Sequence, residues 1–248
     1  METFDDGVLD QLRTGVFHRD VDVHRFGNLQ GSWIADHDVH ADDCGNPHEN
    51  SHTLTKADRS GAIFVCRNHM MTSMGDVDGY SIVWFSPDQT FTDQTVISWD
   101  VNATNLGHRQ WWEVAIVPVG SPDLSCLSWI PCDLPTGGGY PSGAVVVSNR
   151  DRTPRIWSNG SELSPEWRNF CQIDPEACNS KALRRPWSVT DNRDGTITVR
   201  FRDETWTKAG SFPDGEWKVV FKDHNYTPTK DGPVQGFTWH WDNIIVRS

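Results

Sequence analysis

Two adjacent tryptophans and a carboxylate stand in an otherwise apolar run, "HRQWWEVAIVPVG", His108 to Gly120. Side chains of a strand alternate between its faces. Trp112, Val114 and Ile116 therefore fall on one side, and Arg109, Trp111, Glu113 and Ala115 on the other. The first set is apolar throughout and belongs to a core. The second places a tryptophan two residues from a carboxylate, with an arginine beside them. An indole offers a flat apolar face to the CH-rich side of a pyranose, and a neighbouring carboxylate can move a proton or act as a nucleophile. A solvated strand face with a cross-strand ion pair has the same composition.

Glycoside hydrolysis generally takes two carboxylates, about 5 Å apart for retention and further apart for inversion. In "TVISWDVN", Ile97, Trp99 and Val101 alternate with Ser98, Asp100 and Asn102. That alternation puts Asp100 on a polar face, and Glu113 with Asp100 is the candidate catalytic pair. The stretch "CRNHMMTSMGDVDGY" offers a different chemistry, with Arg67 and His69 on one strand face and Tyr80 after a turn. An arginine that neutralises a uronate, beside a histidine or tyrosine that abstracts a proton, is the equipment of a β-eliminating lyase. His69 is thus a third catalytic candidate. Arg67, Arg109, Tyr80 and Trp111 are candidates for substrate binding, and so is Trp239, which shares a face with Trp241 in "FTWHWDNI". That tryptophan pair reads either as a platform or as packing between sheets. His37, His40, His48 and His52 lie among aspartates between Asp36 and Gly61. They suit a solvated loop or a groove wall better than a transition-metal site, because the spacing of His37 and His40 is that of a helix.

These residues need an all-β frame. Helical periodicity is almost absent, and short apolar or alternating runs recur between Gly, Pro, Asn and Asp, the pattern of a sandwich or barrel. "DNRDGTITVRFRD" predicts a hairpin around its Asp-Gly turn. "SPEW", with proline at the first helical position, predicts a short helix after Ser164. Neither a repeat nor a linker interrupts the pattern, so residues 1–248 read as a single domain.

Composition narrows the function further. The 248 residues carry 34 acids and 22 bases, a net charge of -12. That balance argues against a nucleic-acid groove, which needs a basic footprint. It also favours a neutral glycan over a polyanion. Thirteen tryptophans against three tyrosines suggest sugar platforms for some of them. No apolar run is long enough to span a bilayer. The six cysteines, Cys44, Cys66, Cys126, Cys132, Cys171 and Cys178, show no CxxC spacing, which speaks for local disulfides over a zinc ribbon. With the acidic start "METFDDGVLD", they point to a mature secreted chain, monomeric, whose partner is a polysaccharide rather than nucleic acid or membrane.

The two ends, "ETFDD" and "WHWDNIIVRS", resemble the terminal strands of the concanavalin A-like lectin/glucanase superfamily, and the closing Trp241-Asp242-Asn243-Ile244-Ile245-Val246 is similar to that of family 16 glycoside hydrolases. The resemblance implies a concanavalin A-like jelly-roll β-sandwich of two antiparallel sheets, with adjacent terminal strands and long disulfide-pinned loops. It implies a structural calcium ion held by Asp242, with Asp5 as a further ligand. Period-two alternation sets Asp242, Ile244 and Val246 on one face, where a hard cation would satisfy the acid. The family 16 signature, Glu-x-Asp-x-(x)-Glu, is missing, since Trp112-Glu113-Val114-Ala115-Ile116 holds one carboxylate. The expected function is a secreted carbohydrate-active enzyme, foremost a glycoside hydrolase with paired carboxylates on a concave sheet face. The alternatives are a non-catalytic glycan-binding lectin or module, and a polysaccharide lyase.

Overall fold

The computed structural model describes residues 12–19, 35–36, 62–66, 69–74, 79–87, 89–102, 110–121, 140–149, 154–158, 161–162, 170–176, 184–227 and 237–248. In chain order the strands are β1 (Leu12–Arg19), β2 (Ala35–Asp36), β3 (Ala62–Cys66), β4 (His69–Met74), β5 (Gly79–Pro87), β6 (Val96–Asn102), β7 (Gln110–Pro118) and β8 (Val145–Ser148). There follow β9 (Arg155–Ser158), β10 (Ser161–Glu162), the short helix α1 (Phe170–Ile173), β11 (Arg184–Asp191), β12 (Thr196–Phe201), β13 (Glu204–Ala209), β14 (Trp217–Thr227) and β15 (Phe237–Arg247).

They form two sheets. One has seven strands in the order β1-β5-β14-β7-β8-β9-β10, and the other has eight, β13-β12-β11-β6-β15-β4-β3-β2. Neighbours pair antiparallel throughout, apart from the two-residue parallel pair of β2 with β3. This is the expected jelly-roll sandwich. The Asp-Gly hairpin joins β11 to β12, with Arg193 and Gly195 at φ 59° and 83°. Such left-handed angles are easy for glycine and uncommon for arginine. β1 lies at an edge of the seven-stranded sheet and β15 lies inside the eight-stranded one, so these two strands do not pair. "ETFDD" lies outside the described residues, as does Ser164 with its helix signal.

The core fills the space between the sheets and is aromatic. Trp112, Phe85, Phe221 and Trp217 come from the seven-stranded sheet, and Trp99, Trp187, Phe201 and Trp241 from the eight-stranded one. Rings meet across the interface: Trp112 stands edge-on to Trp99 at 5.8 Å, to Trp187 at 4.9 Å and to Trp241 at 6.0 Å. Edge-to-face geometry suits the ring quadrupoles, and each fully buried aromatic removes a large apolar area from water. The expectation of exposed platforms is not met among the described tryptophans. Those whose side chains are described are buried except Trp206, which is partly buried against the core. Trp241 belongs to the packing between sheets.

The alternation in β15 breaks at Asp242, which corrects the shared face expected for Asp242, Ile244 and Val246. Asp242 pairs with Asp100, but the next pair is Ile245 with Ser98, so β15 carries one extra residue. Asn243 takes φ 49° there. A bulge of this kind turns the chain by one residue. Trp241 and Ile244 both enter the core, while Asp242 and Asn243 turn outward to Arg184 and Asp100.

α1 is followed by the buried Asp174, which accepts from Arg185 Nε at 2.5 Å and lies 3.5 Å from Arg202 Nε. Ile173 packs against the core. The helix is thereby clamped to the rim of β11 and β12. Two guanidinium groups supply the counter-charge that a buried carboxylate needs.

Candidate functional site

The seven-stranded sheet turns one face to the core, and the register fixes what stands on the other. Trp112, Val114 and Ile116 of β7 are core residues, so Trp111, Glu113 and Ala115 face away from it. In β14, Trp217, Val219 and Phe221 are core residues, which leaves Lys218, Val220, Lys222 and His224 on the outer face. Pairing aligns them in rows. One row runs Trp84, Lys222, Glu113, Ser148, Arg155 across β5, β14, β7, β8 and β9. The next sets His224 beside Trp111.

Glu113 is the centre of this face and is wholly buried. Its Oε2 accepts from the Tyr140 hydroxyl at 2.7 Å and lies 2.9 Å from His224 Nε2. Its Oε1 accepts from Trp111 Nε1 at 3.2 Å. The Trp111 and His224 rings stack, 4.7 Å between centroids and 7° from parallel. Lys222 Nζ sits 5.4 Å from the centre of the Tyr140 ring. Burial alone would push the Glu113 carboxyl up. The imidazolium of His224, the charge of Lys222 and the Tyr140 hydrogen bond outweigh it and hold the carboxyl down at about 2. These partners favour the ionised form of Glu113. It can accept or steer a proton, and it is not a proton-donating acid. Tyr140 and Arg155 are only partly buried, so the row opens at their end of the sheet.

Asp100 is not its partner. It stands in the other sheet, on the face turned away from the core, where its Oδ2 accepts from Asn243 Nδ2 at 2.7 Å. Sheets pack about 10 Å apart, and the two acids lie on opposite outsides of the sandwich. Among the described side chains, no carboxylate other than Glu113 occupies the outer face of the seven-stranded sheet. Glu162 of β10 has a register position there, opposite Trp157 at the sheet's end.

Asp242 also differs from expectation. Arg184 Nη1 donates to its Oδ2 at 2.5 Å, and the Asn243 amide donates to its Oδ1 at 2.8 Å. A guanidinium stands where a calcium ion was expected, and a cation on that carboxylate oxygen would have to displace it. No cluster of three or more metal-ligating side chains occurs among the described residues. Asp5 lies outside them.

Arg67 and Arg109 also lie outside the described residues. The backbones of His69, Tyr80 and Trp239 are described without their side chains. His69 is in β4 of the eight-stranded sheet and Tyr80 in β5 of the seven-stranded one, so the expected His–Tyr grouping is split between sheets. Trp239 pairs with Thr72 in the eight-stranded sheet. None of the six cysteine side chains is described.

Sequence reasoning missed His224, Lys222 and Tyr140. For the first two the signal was present: "WKVVFKDH" alternates polar Lys218, Lys222 and His224 with apolar Val219 and Phe221. Tyr140 sits in a Gly- and Pro-rich loop whose path no local pattern gives.

No family model matches the chain, and no curated relative matches it either. Solved structures do resemble it. The Bacillus licheniformis β-glucanase aligns at 10% identity over 76% of this chain and 82% of its own, with a TM-score of 0.48. A GlcNAcα1-4Gal-releasing endo-β-galactosidase from Clostridium perfringens aligns at 10% identity over 75% of this chain and 53% of its own, TM-score 0.49. Lectin II from Ulex europaeus aligns at 11% identity over 74% of this chain and 90% of its own, TM-score 0.42.

Proposed function

We propose that this chain is a carbohydrate-active enzyme that cleaves a polysaccharide on the outer face of its seven-stranded sheet. The observation that carries the reading is the proton-handling group at the centre of that face. Glu113 is an ionised, buried carboxylate joined through one oxygen to both Tyr140 and His224. In such a group the Tyr140 hydroxyl, oriented by the anion, is what gives or takes a proton at a reacting oxygen, and no second carboxylate is required. Tyr140 stands nearest the open end and is the group that touches substrate. Glu113 holds it through the hydrogen bond to its hydroxyl, and His224 supplies the balancing charge. The paired-carboxylate hydrolase has less support, because Asp100 is on the far side of the sandwich.

One observation favours a second reading. Glu113 accepts two hydrogen bonds, has His224 Nε2 at 2.9 Å and has no exposure, which also suits a carboxylate that only fixes the face of a glycan-binding module. Product release from a panel of polysaccharides separates the two. The enzyme reading predicts cleavage by the wild type and a loss on the order of a hundredfold in kcat for Tyr140→Phe, with binding retained. Binding without product release by the wild type would sink it in favour of the module.

A further inference from the structure

The charge on the proposed site runs against the charge of the chain. The whole sequence carries -12, yet among the described side chains the outer face of the seven-stranded sheet holds Lys218, Lys222 and Arg155 against one carboxylate, Glu113. Lys222 and Arg155 flank Glu113 in its own row, one strand and two strands away. Adjacent strands are about 4.8 Å apart, so the arginine backbone stands roughly 10 Å from that of Glu113. Lys218 lies on the same face of β14, buried, with its Nζ donating to Ser121 O at 2.6 Å. Among the described residues, Glu113 and Glu162 are the acids with positions on this face, and His224 sits against the first.

We propose that the polysaccharide is anionic, bearing carboxylate or sulfate groups, and that Arg155 receives it at the Tyr140 end of the sheet. The proposal rests on the glycan reading above and names its substrate class. It replaces the neutral glycan that net charge alone suggested. Net charge averages over a surface, whereas the field at one face is set by the charges nearest to it. Arg155 is partly exposed and in line with the reacting group, and its planar fork pairs with carboxylate or sulfate oxygens through two parallel hydrogen bonds. Lys222 is buried and contributes through its field rather than by contact. Ser148, between Arg155 and Glu113 in the row, keeps that stretch free of a competing acid.

The test is a binding series on the whole chain with pectate, a sulfated galactan and a neutral β-glucan at low and high salt, for wild type, Arg155→Gln and Arg155→Lys. The expected result is binding to one or both polyanions that weakens with salt. Arg155→Gln should bind about tenfold more weakly, with part of the loss restored by lysine. An unchanged thermal midpoint would show that the variants are folded. Pectate and the galactan together decide whether carboxylate or sulfate is read. Binding of the neutral glucan as tight as that of the polyanions would overturn the substrate class while leaving the glycan reading intact. Binding of none of the three would overturn both.

Discussion

In the proposed enzyme Glu113 decides the chemistry because of what surrounds it. A lone carboxylate in an apolar strand would be expected to ionise reluctantly, yet this one is held ionised by His224, Lys222 and Tyr140. Its folded pKa is lowered from 4.5 to about 2, so the sign of the linkage is fixed. Its contribution to stability is complete above the unfolded value and is lost as pH falls from about 4.5 towards 2. A shift of that size is worth roughly 3 kcal/mol. The urea midpoint should therefore drop between pH 6 and pH 3 by more in the wild type than in Glu113→Gln; equal drops would mean that the pair does not form. Glu113→Ala should cost about 3 kcal/mol at neutral pH by denaturant unfolding, since it leaves His224 and the Trp111 N–H buried without their acceptor. The face on which Glu113 lies was legible from "QWWEVAIV" alone. Its partners were not, because the sequence does not say which strand lies alongside.

At the scale of elements, local alternation read the strands well and failed where an extra residue entered. β6 shows both outcomes. Ile97, Trp99 and Val101 are core residues and Asp100 is outward, as the pattern required, yet outward from β6 is the far side of the molecule from outward of β7. Alternation gives the face of a strand and not the sheet it joins, and the Asp100–Glu113 pairing failed there. β15 fails differently. Its bulge at Asn243 restarts the alternation, so that Asp242 meets Arg184 instead of sharing a face with Ile244. The left-handed φ of Asn243 is tolerated by asparagine and glycine and strained for a β-branched residue. Asn243→Val should lower stability by about 2 kcal/mol and Asn243→Gly by far less, read as thermal midpoints. A second close approach lies between the sheets. A Cβ built on Gly210, after β13, would meet Ser158 Oγ, at the end of β9, at 2.5 Å. Gly210→Ala should destabilise by about 1–3 kcal/mol in the same assay, and pairing it with Ser158→Gly should recover part of that loss.

The molecule is a tryptophan-rich sandwich that, among the described side chains, keeps its indoles mainly inside. Thirteen tryptophans suggested a sugar-binding surface, but those described mostly fill the core or back the polar face. The all-β class followed from the strand pattern, which depends on local alternation, and the jelly roll from the resemblance of the closing strand. The proposed glycan face did not, because it brings β5 and β14 from distant parts of the chain beside β7, β8 and β9. The central claim is that glycan is handled on the outer face of the seven-stranded sheet, at the Glu113–Tyr140 end. Its most direct test is the set of indole N–H resonances in a ¹⁵N correlation spectrum, titrated with oligosaccharides from the polymer that binds and assigned by single Trp→Phe variants. The account predicts shifts at Trp111, whose N–H donates to Glu113, and at Trp157, beside Tyr140. The core indoles of Trp99, Trp187 and Trp217 should stay still. Shifts confined to the eight-stranded sheet, with Trp111 and Trp157 unmoved at saturation, would contradict it.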